Sequence, residues 1–270
     1  MIRAVSYSSS GLKVRASVDR EPCIYLDSDS LFELAHNAHL NARFGHVFRT
    51  RGTLMLSWTN ALEIGLRTGK GAHQVKALLN LVGRHWCPLQ LNVYRAAEAE
   101  IEQGQSSHHP AISRTFIDAF VRNALASPGP VVIDDTFFAL GRIVDFIDDD
   151  EASREDVRRF KSDLLPHFER LRLQSHGRDP GVRPRWNPLR RIGSTLAQAL
   201  WVVRTEARSH RWTENDSLDF MHAVMALATC QIVLLDRQWA RRAALFDLGS
   251  RPPRVFYRRQ LPEVLDAIEA

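Results

Sequence analysis

The chain has 270 residues, 44% of them hydrophobic and 25% charged, with a formal net charge of +5. This is an ordinary soluble composition, long enough for one large domain or two small ones with a full core. Cys23, Cys87 and Cys230 are odd in number and widely spaced, which argues against a disulfide framework or a thiolate zinc site and for reduced thiols in a cytoplasm. The polar N-terminal stretch lacks the apolar core of an export signal, and the longest apolar stretch, 218–235, is broken by Asp219 and His222. Neither export nor membrane insertion is indicated.

Residues 1–21 read as an edge strand or an arm. The apolar run Cys23-Ile24-Tyr25-Leu26 then predicts a strand over 22–27 that ends in Asp27-Ser28-Asp29, followed by a helix over roughly 30–42. His36 and His39 share a face of that helix, but no further set of zinc ligands accompanies them. Residues 53–57 predict a second strand, and Thr59 or Asn60 a cap for the helix that carries Glu63. Gly69-Lys70-Gly71 reads as a turn, since it lacks the spacing of a phosphate loop. A helix over 72–83, a weak strand within 88–92 and a helix over 94–102 follow.

Residues 103–110 form a polar loop, and apolar periodicity predicts helices over 112–126, 134–147, 153–173 and 190–208. The acids 148–151 suit a helix N-terminus. Gly177 to Pro188 is a linker or exposed loop in which Trp186 either stacks on a base or anchors the loop to the body. Beyond it the pattern returns to helix over 216–229, a buried strand over 232–235 that ends at Asp236, a last strand over 254–258 and a helix from Leu261.

Four acids stand at comparable places. Asp27 follows the first buried strand in IYLDSDSLFEL, and Glu63 lies early in the helix after the second in LSWTNALEIGL. Asp219 belongs to the helix-opening stretch NDSLDFMHA, and Asp236 ends the strand in IVLLDRQW. In this order and these settings they resemble the PIN-like nucleases over roughly residues 22–103 and 213–270. The resemblance implies a single PIN-like domain over 1–270 with a three-layer α/β/α fold. Its mainly parallel central sheet has about five strands, and 104–210 form a predominantly helical insertion. It further implies Mg²⁺- or Mn²⁺-dependent hydrolysis of nucleic acid, most often RNA, with Asp27, Glu63, Asp219 and Asp236 as the metal-binding and catalytic cluster. Asp29 and Asp216 are spare acids, and His222, three residues past Asp219, is a secondary candidate.

Two other readings compete. IYLDSD also resembles the nucleophile and acid pair of haloacid-dehalogenase-type phosphatases, but those need a later lysine and a further acidic motif. The chain has only Lys13, Lys70, Lys76 and Lys161, and no Gly-Asp pair. A catalytically silent PIN-like module that binds RNA or a protein is the other. Charge distribution bears on the partner: residues 170–259 hold 17 arginines, no lysine and 7 acids. Guanidinium groups bind phosphate bidentately, so Arg183, Arg185, Arg190 and Arg191 are candidate contacts to single-stranded or structured RNA. Oligomeric state and the existence of an antitoxin partner stay open.

Overall fold

Four short strands bury every residue they contain, as strands covered on both faces must. They belong to a computed structural model that describes residues 2–8, 11–66, 70–102, 109, 111–126, 138–142, 151–175, 181–206 and 212–270. The chain opens with an antiparallel hairpin, β1 (Ile2–Ser8) and β2 (Gly11–Ala16), which forms its own two-stranded sheet. The main sheet comprises β3 (Cys23–Leu26), β4 (Thr53–Ser57), β5 (Trp86–Leu89), β6 (Ile232–Leu235) and β7 (Arg254–Tyr257). Its spatial order is β5-β4-β3-β6-β7, and all its pairings are parallel.

Alternation of side chains along these strands builds two cores. Ile24, Leu26, Leu54, Leu56, Ile232 and Leu234 point to one side. Tyr25, Met55, Cys87, Leu89, Val233 and Leu235 point to the other. Helices α1 (Ser28–His36), α2 (Ala38–Thr50), α3 (Trp58–Leu66) and α4 (Lys70–Val82) cover the first face, and α5 (Val93–Ile101) starts the cover of the second. The result is the three-layer α/β/α architecture.

Within 104–210 the described helices are α6 (Arg114–Ala126), α7 (Glu151–Ser175) and α8 (Arg191–Glu206). This stretch packs against both faces. Phe116, Ile117 and Phe120 of α6 join the first core, while α8 packs on α5 and on α9 (Glu214–Thr229), which also receives α7. Trp86 Nε1 donates to the Phe138 carbonyl at 2.9 Å, tying this stretch to β5. The chain closes with α10 (Arg237–Ala243), a 3-10 turn over Arg258–Gln260 and α11 (Leu261–Glu269). Among the described residues no helix is long and apolar enough to cross a membrane.

Several boundaries differ from expectation for local reasons. The helix expected over 30–42 is two helices, because Asn37 ends α1 and its side chain accepts from Leu40 N at 3.1 Å to start α2. His36 and His39 therefore lie on different helices. The third strand is Trp86–Leu89 rather than 88–92, and Lys70 and Gly71 begin α4 rather than forming a turn. The polar loop over 103–108, most of the helix expected over 134–147, the acids 148–150 and residues 177–180 lie outside the described residues.

Candidate active site

Because the five strands are parallel, their carboxyl ends share one edge, where four of them lead directly into a helix or 3-10 turn. Asp27 and Asp236 both act as N-caps at this edge. Asp27 accepts from Ser30 N at 2.9 Å to start α1. Asp236 Oδ1 accepts from Gln238 N and Trp239 N, at 2.6 and 3.1 Å, to start α10. A carboxylate suits both places, since the first amides of a helix lack intrahelical partners and carry a partial positive charge. The cap bonds also fix where each carboxylate points.

These two acids line a cleft of about 290 Å³ together with Asp29, Glu63 and Asp219. Glu63 comes from α3, nearly two turns past the end of β4. Asp219 comes from α9, whose N-terminus lies at the same edge because the helix runs back to feed β6. The structure thus brings together all four acids of the proposed cluster, and Asp29 with them. Asp216 is placed differently: its carboxylate accepts from Thr213 N at 2.8 Å and from Thr213 Oγ1 at 2.7 Å in a capping box. It does not line the cleft.

Electrostatics register the crowding. Burial pushes the Asp219 carboxyl up to about 7, and Asp236, Glu63, Asp216 and Asp27 push it in the same direction. Burial raises Asp27 to about 6, with Asp29 and Asp236 adding to the rise and hydrogen bonds from Ser30 opposing it. Asp219 nevertheless keeps much of its surface open to the cleft. Both observations suit a concave site, where solvent touches the carboxylate while protein fills most of the volume around it.

Behind the acids runs a buried polar relay. Ser28, the first residue of α1, donates its hydroxyl to Glu63 at 2.6 Å and accepts from the Asn60 amide at 3.0 Å. Ser57 and Asn60 form a reciprocal box, in which Asn60 N donates to Ser57 Oγ at 3.1 Å and Ser57 N to Asn60 Oδ1 at 3.2 Å. The cap of α3 is therefore Ser57, the last residue of β4, and neither Thr59 nor Asn60. His222, one turn past Asp219, places Nε2 2.7 Å from Ser57 Oγ and 2.9 Å from Thr59 Oγ1. It is buried and also lines the cleft. The relay so connects α9 to β4, α3 and α1, the elements that carry Asp219, Glu63 and Asp27. Ser28, Ser57, Thr59 and Asn60 were not expected to support the site; the polar pair of residues beyond the apolar run 53–56 was the available signal.

The arginines are distributed otherwise than expected. Helix α5 leaves the carboxyl end of β5 and runs back, so Glu100 in its last turn reaches the amino edge. There Glu100 accepts from Ile192 N and Gly193 N, both at 3.0 Å, and α8 begins. Arg190 and Arg191 thus lie at the opposite edge of the sheet from the acids. The Arg191 charge instead acts on the Cys23 and Cys230 thiols, both raised by burial. Arg183 and Arg185 are exposed in the loop leading to α8, and none of the four lines the cleft. Trp186 in that loop anchors it: the indole packs so closely on Gly249 that a Cβ there would lie 2.4 Å from Nε1.

The donor set facing the cleft is all oxygen at the acids, which fits a hard divalent cation and not a soft one. Among the described residues no three His, Cys, Asp or Glu side chains are drawn together into a ready-formed cage. No lysine lines the cleft, so the phosphatase reading gains no support there. The chain matches no protein-family model, no curated protein and no solved structure.

Proposed function

We propose that the chain is a PIN-like, divalent-metal-dependent nuclease acting on single-stranded nucleic acid, RNA foremost. The observation that carries this reading is the convergence of Asp27, Glu63, Asp219 and Asp236 on one cleft from four elements far apart in sequence. Grouped carboxylates repel one another, and a bound cation offsets that repulsion. Bound Mg²⁺ or Mn²⁺ would neutralise phosphate charge and lower the pKa of a water nucleophile.

The protein's own contribution is placement. Asp236 directs Oδ2 away from its two cap bonds, and Asp27 is fixed by Ser30, so these two would hold the ion from the sheet edge. Glu63, oriented by Ser28, and Asp219 face them across the cleft. Without a cation, burial and the neighbouring carboxylates push Asp219 up to about 7, and a bound cation would favour its ionised form.

Purified wild type and Asp236→Asn, given single-stranded RNA with Mg²⁺ or Mn²⁺ and then with chelator, test the proposal. Metal-dependent cleavage by wild type, slowed at least about 100-fold in the variant, is the expected result, equivalent to the few kcal/mol a metal site contributes. Equal cleavage by both would remove Asp236 from the site. The absence of a ready-formed cage favours one second reading, a silent RNA- or protein-binding module, and no cleavage by wild type would support it.

A further inference from the structure

Beside the acidic cleft lies a second hollow of about 350 Å³ that shares Asp27, Asp29 and Asp236 with it. Its far side is Arg237, Tyr257, Arg258 and Arg259. Sheet register explains the juxtaposition. Leu235 pairs with Tyr257 in adjacent parallel strands, so Asp236-Arg237 and Arg258-Arg259 leave the sheet side by side. Arg258 forms an ion pair with Glu33, which ties the 3-10 turn to α1. Arg237 and Arg259 line the same hollow as three carboxylates, yet neither guanidinium group has a hydrogen bond or ion pair among the described residues. Two guanidinium groups without a partner beside the acidic cleft are open to an anion.

We propose that Arg237 and Arg259, with the half-buried Tyr257, form a subsite for the nucleotide adjoining the one in the acidic cleft, which makes the preferred ligand a single-stranded polynucleotide. The two arginines hold consecutive backbone phosphates, and the Tyr257 ring stacks on a base. This rests on the nuclease reading for the content of the cleft, but the arginine groove binds without metal and without chemistry.

The test is fluorescence anisotropy of the full chain with a labelled single-stranded oligonucleotide in chelator, as a function of salt. Arg237→Ala/Arg259→Ala should weaken binding at least about tenfold and reduce the slope of log K against log salt by roughly 1.4, from two phosphates at about 0.7 each. Tyr257→Leu should weaken binding about fivefold or more with little change in slope, the stacking contribution of one base. Arg190→Ala/Arg191→Ala, at the far edge of the sheet, should bind as wild type does. Thermal melts, with Arg237→Gln/Arg259→Gln as a second pair, separate lost contacts from lost folding. Wild-type affinity and slope in both groove pairs, an equal loss in the Arg190/Arg191 pair, no binding by wild type, or equal affinity for a duplex would each overturn the proposal. Cleavage on adding Mn²⁺ is scored separately: groove-dependent binding without cleavage sinks the nuclease reading alone, and cleavage without groove dependence sinks this proposal alone.

Discussion

The two edges of the parallel sheet are made by the same strands and treat charge in opposite ways. At the amino edge polar groups meet partners: Cys23 N donates to Gln231 Oε1 at 2.6 Å, Gln231 N to the Cys23 carbonyl at 2.9 Å, and Glu100 receives two amides of α8. Asp19 and His85 face each other there at 3.1 Å. At the carboxyl edge five carboxylates line one cleft, and two of them are pushed toward neutrality. Helix dipoles alone do not account for this, because one cap at each helix start would satisfy them. Of the two edges, the carboxyl one is where carboxylates crowd among the described residues.

The largest expected effect sharpens that contrast. Asp27→Asn and Asp219→Asn should each reduce metal-dependent cleavage about 100-fold or more, read in a single-turnover assay. Asn is as good an N-cap as Asp, so Asp27→Asn should melt close to wild type, whereas Asp27→Ala loses the cap at about 1 kcal/mol. If both variants kept cleavage and only Ala lost stability, Asp27 would be a cap and nothing more.

Next in size is the relay behind the acids. His222→Ala leaves Ser57 and Thr59 without the ring nitrogen they contact inside the protein, at about 1–3 kcal/mol. Each kcal/mol lowers the melting temperature of a chain this long by about 2–4 °C. An unchanged melting temperature would show that α9 is held at the site by apolar packing alone.

The third effect is a pH dependence. Asp27 and Asp219 titrate higher in the folded protein, about 6 and 7, than the roughly 3.9 of an unfolded Asp. A raised carboxyl resists ionisation, so these groups remove stability progressively as pH rises from about 4 through 7. Metal-free wild type should lose more melting temperature between pH 5 and pH 8 than Asp219→Asn does, and Mn²⁺ should restore part of the loss by binding the ionised form. Parallel curves for the two proteins would contradict the raised Asp219.

The smallest effect belongs to the amino edge. Glu100→Gln keeps an acceptor for only one of Ile192 N and Gly193 N, which bond to separate carboxylate oxygens, and removes the charge; it should lower stability by about 1 kcal/mol, with cleavage unchanged. A loss of cleavage would mean that the two edges are coupled through α8.

Much of this was legible because it is local. Short apolar runs such as Ile232-Val233-Leu234-Leu235 are buried on both faces, and an acid directly after such a run stands at the sheet edge whatever its neighbours do. The relay was not legible: Ser57 and His222 are 165 positions apart, and lone serines or threonines carry no periodic signal. Asp216 and Asp219 look alike in sequence, and only the bond from Thr213 separates a cap from a cleft acid. The basic bias of 170–259 was visible, but not its sorting. Arg190 and Arg191 fall at the amino edge because α8 starts there, and Arg237 and Arg259 fall at the acids because β6 and β7 end there.

Strand order has a consequence for how the molecule comes into being. In β3, Tyr25 pairs with Met55 on one side and with Val233 on the other. A growing chain acquires the first neighbour early and the second only near its end. Through most of synthesis β3 therefore presents an open, apolar edge, which is the kind of surface that recruits foreign strands and chaperones. Pairings across so long a separation also slow folding. Asp219 and Asp236 arrive with β6 and the helix before it, so the acidic cleft cannot assemble on the nascent chain before β6 docks. Any activity it carries is absent until the sheet is complete.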